Sequence, residues 1–502
     1  MSQIWNMRTL MQMSDMDVTE WRTRYVLLVF ACFLPFGCYF NIDVLGALQK
    51  DLQGVHTENC SSLTANTTCC TDCLGLGPDR YNQLYAAYSW MNAVSALPGG
   101  YFIDKIGNRG SSILTTSVAC LGTLMFAVSA TDSIRSTSAM FPLMFCGRLL
   151  LGAGTSPALI VQNRFLASWF PDNLLVVFSL MVVVLRLGNV SNFFLTTNMA
   201  NLIGLSTTLW ITAAICSLSV VCAISVSALD YYGQSRMKVE LKLDKRSNFV
   251  TFEEIRLLPK AYWLHCIVIM AFYACYLPLI GNGSKYIQDR YGYSKTTSSY
   301  FNGAVYDVSV LISPLAGILL RKINITGIVM SCCAILTVPI FPLFSFCPGI
   351  HPLILTVYLG ITYTIFAICL WPSVSVLVAT DILGTAQGIT IFMQGLGVGL
   401  TNLGIGKILG STESLDKTEQ LDNYSIMFWV LLGLCSLSAV CSIIVNTLDM
   451  KQDNLLNPGL SYFQNKRANL VINERTSLIK HLESETVTVT RDNDNVSSLS
   501  QR

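Results

Sequence analysis

The chain has 502 residues, of which 52% are hydrophobic and only 12% are charged, and its mean hydropathy is +0.52. A soluble globule of this composition could not bury its apolar surface, so the composition excludes that class and indicates a polytopic membrane protein. The formal net charge of +2 gives no reason to expect a nucleic-acid partner.

Apolar runs of membrane-spanning length recur about twelve times, since a spanning helix needs roughly 20 apolar residues. The runs cover residues 25–48, 81–103, 110–131, 139–167, 173–202, 207–229, 261–287, 296–320, 325–346, 352–379, 382–409 and 424–448. We therefore expect an all-α membrane protein with twelve transmembrane helices arranged as two six-helix halves.

A stretch rich in both signs of charge, residues 230–260, separates the runs into an N-terminal half (25–229) and a C-terminal half (261–449). This stretch is predicted to be a cytosolic linker. Residues 1–24 are polar and carry no cleavage pattern, which predicts a cytosolic segment before an uncleaved anchor. Residues 450–502 are polar without a helical period, which predicts a largely disordered cytosolic tail.

A short charged turn, residues 99–109, joins the second and third runs. Its glycine, three residues, Asp, a basic residue, then Gly and Arg resemble the cytoplasmic loop signature of the major facilitator superfamily. Gly100 allows close helix approach, and Asp104 with Arg109 can bridge two helix ends. We expect a clasp that favours one state of a rocking transporter, formed by Gly100, Asp104, Lys105, Gly107 and Arg109.

The distribution of basic residues predicts the orientation. Lys105, Arg109, the linker, Arg321 and Lys322 fall on the side that both termini share, so this side is predicted to be cytosolic. The opposite side carries the loop at residues 50–80.

That loop has the features of a luminal or extracellular segment. It contains glycosylation sequons at Asn59 and Asn66. It also contains four cysteines, Cys60, Cys69, Cys70 and Cys73. Four cysteines allow three disulfide pairings, and a zinc site is the less favoured alternative.

Charged residues fall inside the predicted spans, among them Asp43, Arg148, Arg164, Arg186 and Asp307. A charge in hydrocarbon costs about 2.5–3.5 kcal/mol or more unless it faces water or a partner. The pattern indicates a polar pathway through some of the helices. Arg164 lies near the cytosolic end of its span, where its side chain can snorkel to the surface.

The other four charges each have a structural and a functional interpretation. Arg148 either bonds neighbouring backbone or takes part in proton or substrate handling. Arg186 lies in mid-span, which favours a substrate-facing role in which its guanidinium holds a carboxylate. Asp43 is either a structural partner or a ligand. Asp307 either pairs with an arginine, which we favour, or carries a proton.

A narrower set of motifs appears in order between Tyr25 and Asp449. It comprises Tyr85–Asn92, Gly99–Asp104, Gln162–Asn163, Ser168–Phe170, Arg186, Leu370–Pro372 and Leu383–Gly388. These motifs resemble the major facilitator superfamily domain-containing protein 1 family. The resemblance implies a lysosomal uniporter that exports dipeptides, above all cationic ones, to the cytosol. It also implies a glycosylated lysosomal accessory subunit, a homodimer and no cofactor.

The resemblance extends to individual residues. Arg186 is similar to the family's fifth-helix arginine of the dipeptide site, and Asp43 to an acid in the first helix. The family's fourth-helix carboxylate falls at Ser156, so Asp43 or Asp307 would have to bind a peptide amino group. This departure leaves another small metabolite open as the substrate. The candidate substrate-binding residues are Arg186, Asp43, Asp307, Ser156, Tyr88 and Trp371.

The tail contains an acidic residue, a three-residue gap and a Leu-Ile pair, typical of an endolysosomal sorting motif: Glu474, Leu478 and Ile479. The predicted location is the lysosomal membrane, with the plasma membrane as the alternative. We expect no enzyme and no metal site, because there is no nucleophile and base pair, phosphate-binding loop or metal-ligand spacing. The favoured function is an alternating-access carrier, and the alternative is a transport-inactive scaffold. Proton coupling stays open.

Overall fold

The computed structural model describes residues 23–56, 69–70, 73–170, 174–237, 258–323, 325–378, 383–410, 417–451 and 454–459. The helices of the first half are α1 (Arg24–Phe33), α2 (Phe36–Ile42), α3 (Val44–Ala47), α4 (Gln49–Gln53), α5 (Gly77–Ile106), α6 (Asn108–Ser129), α7 (Asp132–Arg135), α8 (Met140–Trp169), α9 (Leu174–Ile203) and α10 (Leu205–Met237). Those of the second half are α11 (Lys260–Tyr291), α12 (Lys295–Ile323), α13 (Thr326–Thr337), α14 (Ile340–Phe346), α15 (Pro352–Leu377), α16 (Leu383–Gly410) and α17 (Lys417–Lys451).

Eleven helical stretches within the described ranges are long and apolar enough to cross a membrane. The 30-residue helix α5 adds a twelfth stretch of comparable length. The first span is built from α1 and the short helices that follow it, and the ninth from α13 and α14. The prediction of an all-α membrane protein with twelve spanning segments is confirmed. The described residues also include two strands of two residues each, β1 (Val55–His56) and β2 (Cys69–Cys70), which pair in parallel.

Short connections join most successive spans, so the spans alternate in direction across the bilayer. We call the side on which α4 ends and α5 begins the loop side, and the side on which α10 ends and α11 begins the linker side. The sequence predicts that these face the lumen and the cytosol. Cys73, on the loop side, takes part in a disulfide, which excludes this thiol from a zinc site. Asn59 and Asn66 lie outside the described residues.

Part of the predicted disordered tail is ordered. Residues 454–459 fold back onto the end of α17, where the Asp449 carboxylate accepts the Leu455 N–H at 2.9 Å. The Asn457 side chain accepts the N–H of Ile328 at the start of α13, also at 2.9 Å. These two side-chain caps hold the short segment, and the largely disordered state of the rest of the tail stays a prediction. The sorting motif lies outside the described residues.

Glycines bring several helices of the first half into close contact. A Cβ atom at Gly154 of α8 would overlap the Thr115 carbonyl oxygen of α6 and lie 2.6 Å from the Ala119 nitrogen. Small residues let membrane helices approach to backbone contact, which supplies packing energy where lipid removes the hydrophobic driving force. In contrast, a Cβ atom at Gly433 of α17 would meet nothing within 4 Å.

We expect Gly154→Ala to lower the free energy of unfolding by about 1–3 kcal/mol, because the added methyl group forces α6 and α8 apart. Gly433→Ala adds the same methyl group in open space and is expected to leave stability unchanged or slightly raised. Thermal unfolding in detergent, followed by tryptophan fluorescence, compares the two variants. Equal melting temperatures would contradict the close packing of these helices.

Candidate substrate-binding site

The first span is interrupted at its centre. Helix α2 ends at Ile42 and α3 begins at Val44, while Asp43 between them has φ −98° and ψ 11°. An interruption frees carbonyl groups that a continuous helix would bond. Arg148 of α8 donates to the carbonyl oxygens of Asn41 and Ile42, at 3.0 and 2.9 Å. The guanidinium thus caps the negative end of α2.

This geometry decides between the two interpretations of Arg148 in favour of backbone bonding. Its guanidinium also lies over the rings of Tyr85 and Tyr88, 5.7 and 5.1 Å from their centroids. Tyr88 therefore supports the arginine that holds the interruption.

Asp43 is buried, with 4% of its surface exposed. Its carboxylate accepts a hydrogen bond of 2.6 Å from Asn189 Nδ2 on α9, and the Tyr306 hydroxyl on α12 lies within hydrogen-bonding reach. The charges of Arg148 and Arg186 both act on it. Asp43 is thus an acid placed by three helices and flanked by two cations.

Arg186 lies in the middle of α9 and reaches across to the second half. Its Nη2 donates to the Tyr363 hydroxyl on α15 at 2.7 Å. The guanidinium lies 5.1 Å from the Tyr363 centroid and 5.8 Å from the Tyr306 centroid. A guanidinium has five N–H donors, and this bond uses one of them. Arg186 can therefore still bind an anionic group.

Aromatic side chains of α11 and α15 form a wall beside Arg186. Tyr276 stacks on Tyr363 with 3.8 Å between centroids and 5° between ring planes. Trp371 donates its indole N–H to the Tyr273 hydroxyl at 3.0 Å. The structure therefore brings Trp371 into the group, as the sequence analysis predicted.

Several buried polar atoms around this group lack a partner within the described part of the chain. They are Tyr85 Oη, Asn189 Oδ1, Asn192 Nδ2 and Tyr276 Oη. Buried polar atoms are nearly always hydrogen-bonded in folded proteins, because leaving them unpaired costs free energy. Such a set beside Arg186 and Asp43 is what a binding site for a polar molecule requires.

Two predicted site residues are not brought into this group. Ser156 is buried on α8, and within the described ranges no hydrogen bond joins its side chain to Asp43 or Arg186. Asp307 is half-buried and shares a face of α12 with Leu311 and Ile318, which are 72% and 61% exposed. The expected pairing of Asp307 with an arginine is not formed among the described residues. The neighbouring Tyr306 points to the site instead.

The clasp residue Arg109 bonds an acid outside the predicted turn. Arg109 Nε donates to Asp230 Oδ2 at 2.5 Å, and Arg109 Nη2 donates to Gln234 Oε1 at 2.7 Å. The other Asp230 oxygen accepts the Trp169 indole N–H at 2.9 Å. Arg109 therefore joins the start of α6 to the end of α10, while the Asp104 side chain lies outside the described residues.

Two other clasp residues can be placed. Gly107 links α5 to α6 with φ +88°, a conformation that other residues rarely adopt, so the predicted need for glycine in this turn is met. Lys105 is exposed. The side-chain environment at Gly100 is not described.

Three neutral members of the site, Asn189, Tyr276 and Tyr363, were not predicted from the sequence. The prediction relied on charges inside the spans and on the family motifs that contain Tyr88 and Trp371. Asn189 lies three residues after Arg186, and Tyr276 three residues after Tyr273, spacings that place each pair on one helical face. A search for neutral polar side chains at this spacing would have found both helices of the site.

A family model described as Major Facilitator Superfamily matches residues 24–401. The chain belongs to the major facilitator superfamily. Within it, the chain is 30% identical over 407 residues to the lysosomal dipeptide transporter MFSD1 of Homo sapiens, covering 79% of this chain and 82% of the relative. It is 29% identical over 444 residues to the transporter of that name from Mus musculus, covering 86% and 88%. The chain is therefore a member of the MFSD1 family.

Solved transporters of the superfamily share the fold. A nucleoside transporter, NupG, superposes with a TM-score of 0.63 and 14% identity, over 84% of this chain and 99% of that one. A peptide transporter, POT, in complex with sulfate superposes with a TM-score of 0.61 and 12% identity, over 86% and 96%. At these identities the likeness shows the fold alone.

The two buried arginines of this superfamily member should differ in their effect on stability. Arg148→Met leaves two carbonyl groups of α2 unbonded, so we expect the free energy of unfolding to fall by about 2–4 kcal/mol. Arg186→Met removes one bond to a tyrosine hydroxyl and should change it by under about 1 kcal/mol. Thermal unfolding in detergent compares them. A larger loss for Arg186→Met would contradict the structural role of Arg148.

Proposed function

We propose that this transporter releases dipeptides from the lysosome to the cytosol by alternating access. The observation that carries the proposal is the pair of opposite charges, Arg186 and Asp43, held deep in the membrane from different spans. A dipeptide is a zwitterion, with a carboxylate at one end and an ammonium group at the other. The names of the MFSD1 relatives support this class of solute.

In the proposed complex the peptide carboxylate binds Arg186. Tyr363 accepts the arginine N–H, so its own O–H can donate to the carboxylate in the proposed complex. Arg186 and Tyr363 thereby offer two donors to one carboxylate, from opposite halves of the protein. Charge-assisted bonds of this kind are about twice as strong as neutral ones.

The peptide ammonium group binds Asp43. Because Ser156 stands where relatives carry an acid, Asp43 has to provide this contact without a second carboxylate. Asn189 and Tyr306 fix the orientation of Asp43 and leave the amide oxygen Asn189 Oδ1 without a partner. That oxygen is a second acceptor for an ammonium group.

The preference for cationic dipeptides is also a proposal. The aromatic wall of Tyr273, Tyr276 and Trp371 presents ring faces beside the site. Ring faces attract Lys or Arg side chains by about 0.5–2 kcal/mol, the larger value where water is excluded. A cationic side chain could therefore bind without a third acid.

Location and partners follow as proposals from the MFSD1 resemblance. We place the protein in the lysosomal membrane, directed there by Glu474, Leu478 and Ile479. Glycans at Asn59 and Asn66 would then face the lumen. A glycosylated lysosomal accessory subunit and a homodimer complete the proposal, and uniport is the favoured mode.

Uptake of labelled dipeptides into proteoliposomes that contain the purified full-length chain tests the site. We expect uptake of a free dipeptide, with Arg186→Gln lowering its rate about tenfold or more because the carboxylate loses its charged partner. The C-terminal amide of that peptide has no carboxylate to lose, so its uptake rate should be the same in Arg186→Gln as in the parent protein. Equal loss for both peptides would remove Arg186 from the carboxylate subsite.

A matched pair of acids tests the ammonium subsite. Asp43→Asn is expected to lower dipeptide uptake about tenfold or more, because it removes the charge opposite the ammonium group. Asp307→Asn removes a carboxylate from the exposed face of α12 and should leave uptake unchanged. The reverse result would move the subsite to Asp307. Absence of dipeptide uptake by the parent protein would favour another small metabolite or a scaffold.

A further inference from the structure

On the loop side, helix α11 is bonded to the first half through its backbone. The Gly281 carbonyl oxygen accepts the Tyr81 hydroxyl at 2.6 Å, and the Lys285 N–H donates to Gln49 Oε1 at 2.8 Å. In a regular α-helix the N–H of residue 285 pairs with the carbonyl of residue 281. The carbonyl and the N–H of this helical pair therefore each form a hydrogen bond with a side chain of the first half.

The sequence of α11 loosens the helix at this point. Pro278 has no N–H to give to the helical ladder. The Ile280 carbonyl is bonded from its own half, by Asn302 Nδ2 at 2.8 Å. Gly283 packs so closely on Asn302 that a Cβ atom would overlap the amide oxygen. Residues 278–285 are thus a helical segment whose backbone groups also bond side chains from both halves.

Further contacts between the halves surround this segment. Asn82 and Asn282, both fully buried, exchange two hydrogen bonds of 3.1 and 2.9 Å. At the rim, Lys295 forms a salt bridge with Asp51. These contacts close the loop side of the interface between the halves.

We propose that Tyr81 and Gln49 form a lock on residues 278–285 that holds the loop-side gate closed. When the halves separate on this side, both side chains leave, and the Gly281 carbonyl and Lys285 N–H keep each other as helical partners. Each backbone group then has a partner in both states, which the bilayer interior demands. The segment is the two-state element of the gate. The proposal requires alternating access but no particular solute.

Hydrogen exchange at residues 278–287, measured by mass spectrometry on the full-length protein in detergent, tests the lock. Tyr81→Phe removes the bond to Gly281, so we expect exchange in this segment to accelerate about fivefold. The control is Tyr262→Phe, which removes a buried hydroxyl bonded to the Ala386 carbonyl at 2.8 Å within the second half. It should leave the segment's exchange unchanged. Equal acceleration by both variants, or none by Tyr81→Phe, would overturn the proposal.

A second pair of variants distinguishes loss of the lock from a general loss of folding. Gln49→Met removes the acceptor of the Lys285 N–H and keeps the side-chain length, so it should accelerate exchange in the same segment. Gln288→Met removes an amide bonded to Ser284 within α11 and should not. Exchange in α15 reports global unfolding in all variants. Unchanged exchange across residues 278–287 after Gln49→Met would overturn the lock, whatever Tyr81→Phe does.

Discussion

The contact on which the site depends is the bond from Arg148 to the interrupted first span. In hydrocarbon a freed backbone carbonyl finds no water, so a break in a spanning helix persists only where another group satisfies it. Arg148 satisfies two such carbonyls and places a cation at a helix C-terminus, where the helix dipole favours it. Asp43 lies at this break, between α2 and α3, on the side of the span that faces the second half. The position of the Asp43 carboxylate in the candidate site therefore depends on the cap that Arg148 of α8 supplies.

Around Asp43 the described side chains carry two positive charges and one negative charge. Arg148 bonds two backbone carbonyls, whereas the partners of Arg186 among the described residues are a tyrosine oxygen and aromatic faces. An excess of positive charge in a low dielectric is unfavourable unless an anion completes it. A solute with a carboxylate supplies that anion, and the unpartnered amide and hydroxyl groups nearby can bind the rest of its polar surface. The excess positive charge and the unpartnered polar groups among the described residues thus both favour a polar solute that carries a carboxylate.

The spans were predictable because a bilayer forces the backbone into helices of nearly fixed length, and an apolar run reports this directly. The site was predictable only in part. Asp43 and Asp307 both lie inside spans, and position along the chain does not say which face of a helix meets the other half. Tyr363 lies 177 residues from Arg186 and carries no charge, so nothing local marked it. Asp230 was hidden for another reason, since a partner for Arg109 was sought within the same turn.

The contacts between the halves differ with depth. Inside the loop-side interface they are neutral bonds between amides, hydroxyls and backbone, such as the pair formed by Asn82 and Asn282. The ion pair of Asp51 and Lys295 lies near the end of the first span and the start of α12, close to water. A neutral bond contributes about 0.5–1.5 kcal/mol, whereas separating a buried ion pair leaves charges whose desolvation costs several kcal/mol. Neutral contacts in depth can therefore break and reform in each cycle, while the charged contact separates where water can solvate both ions.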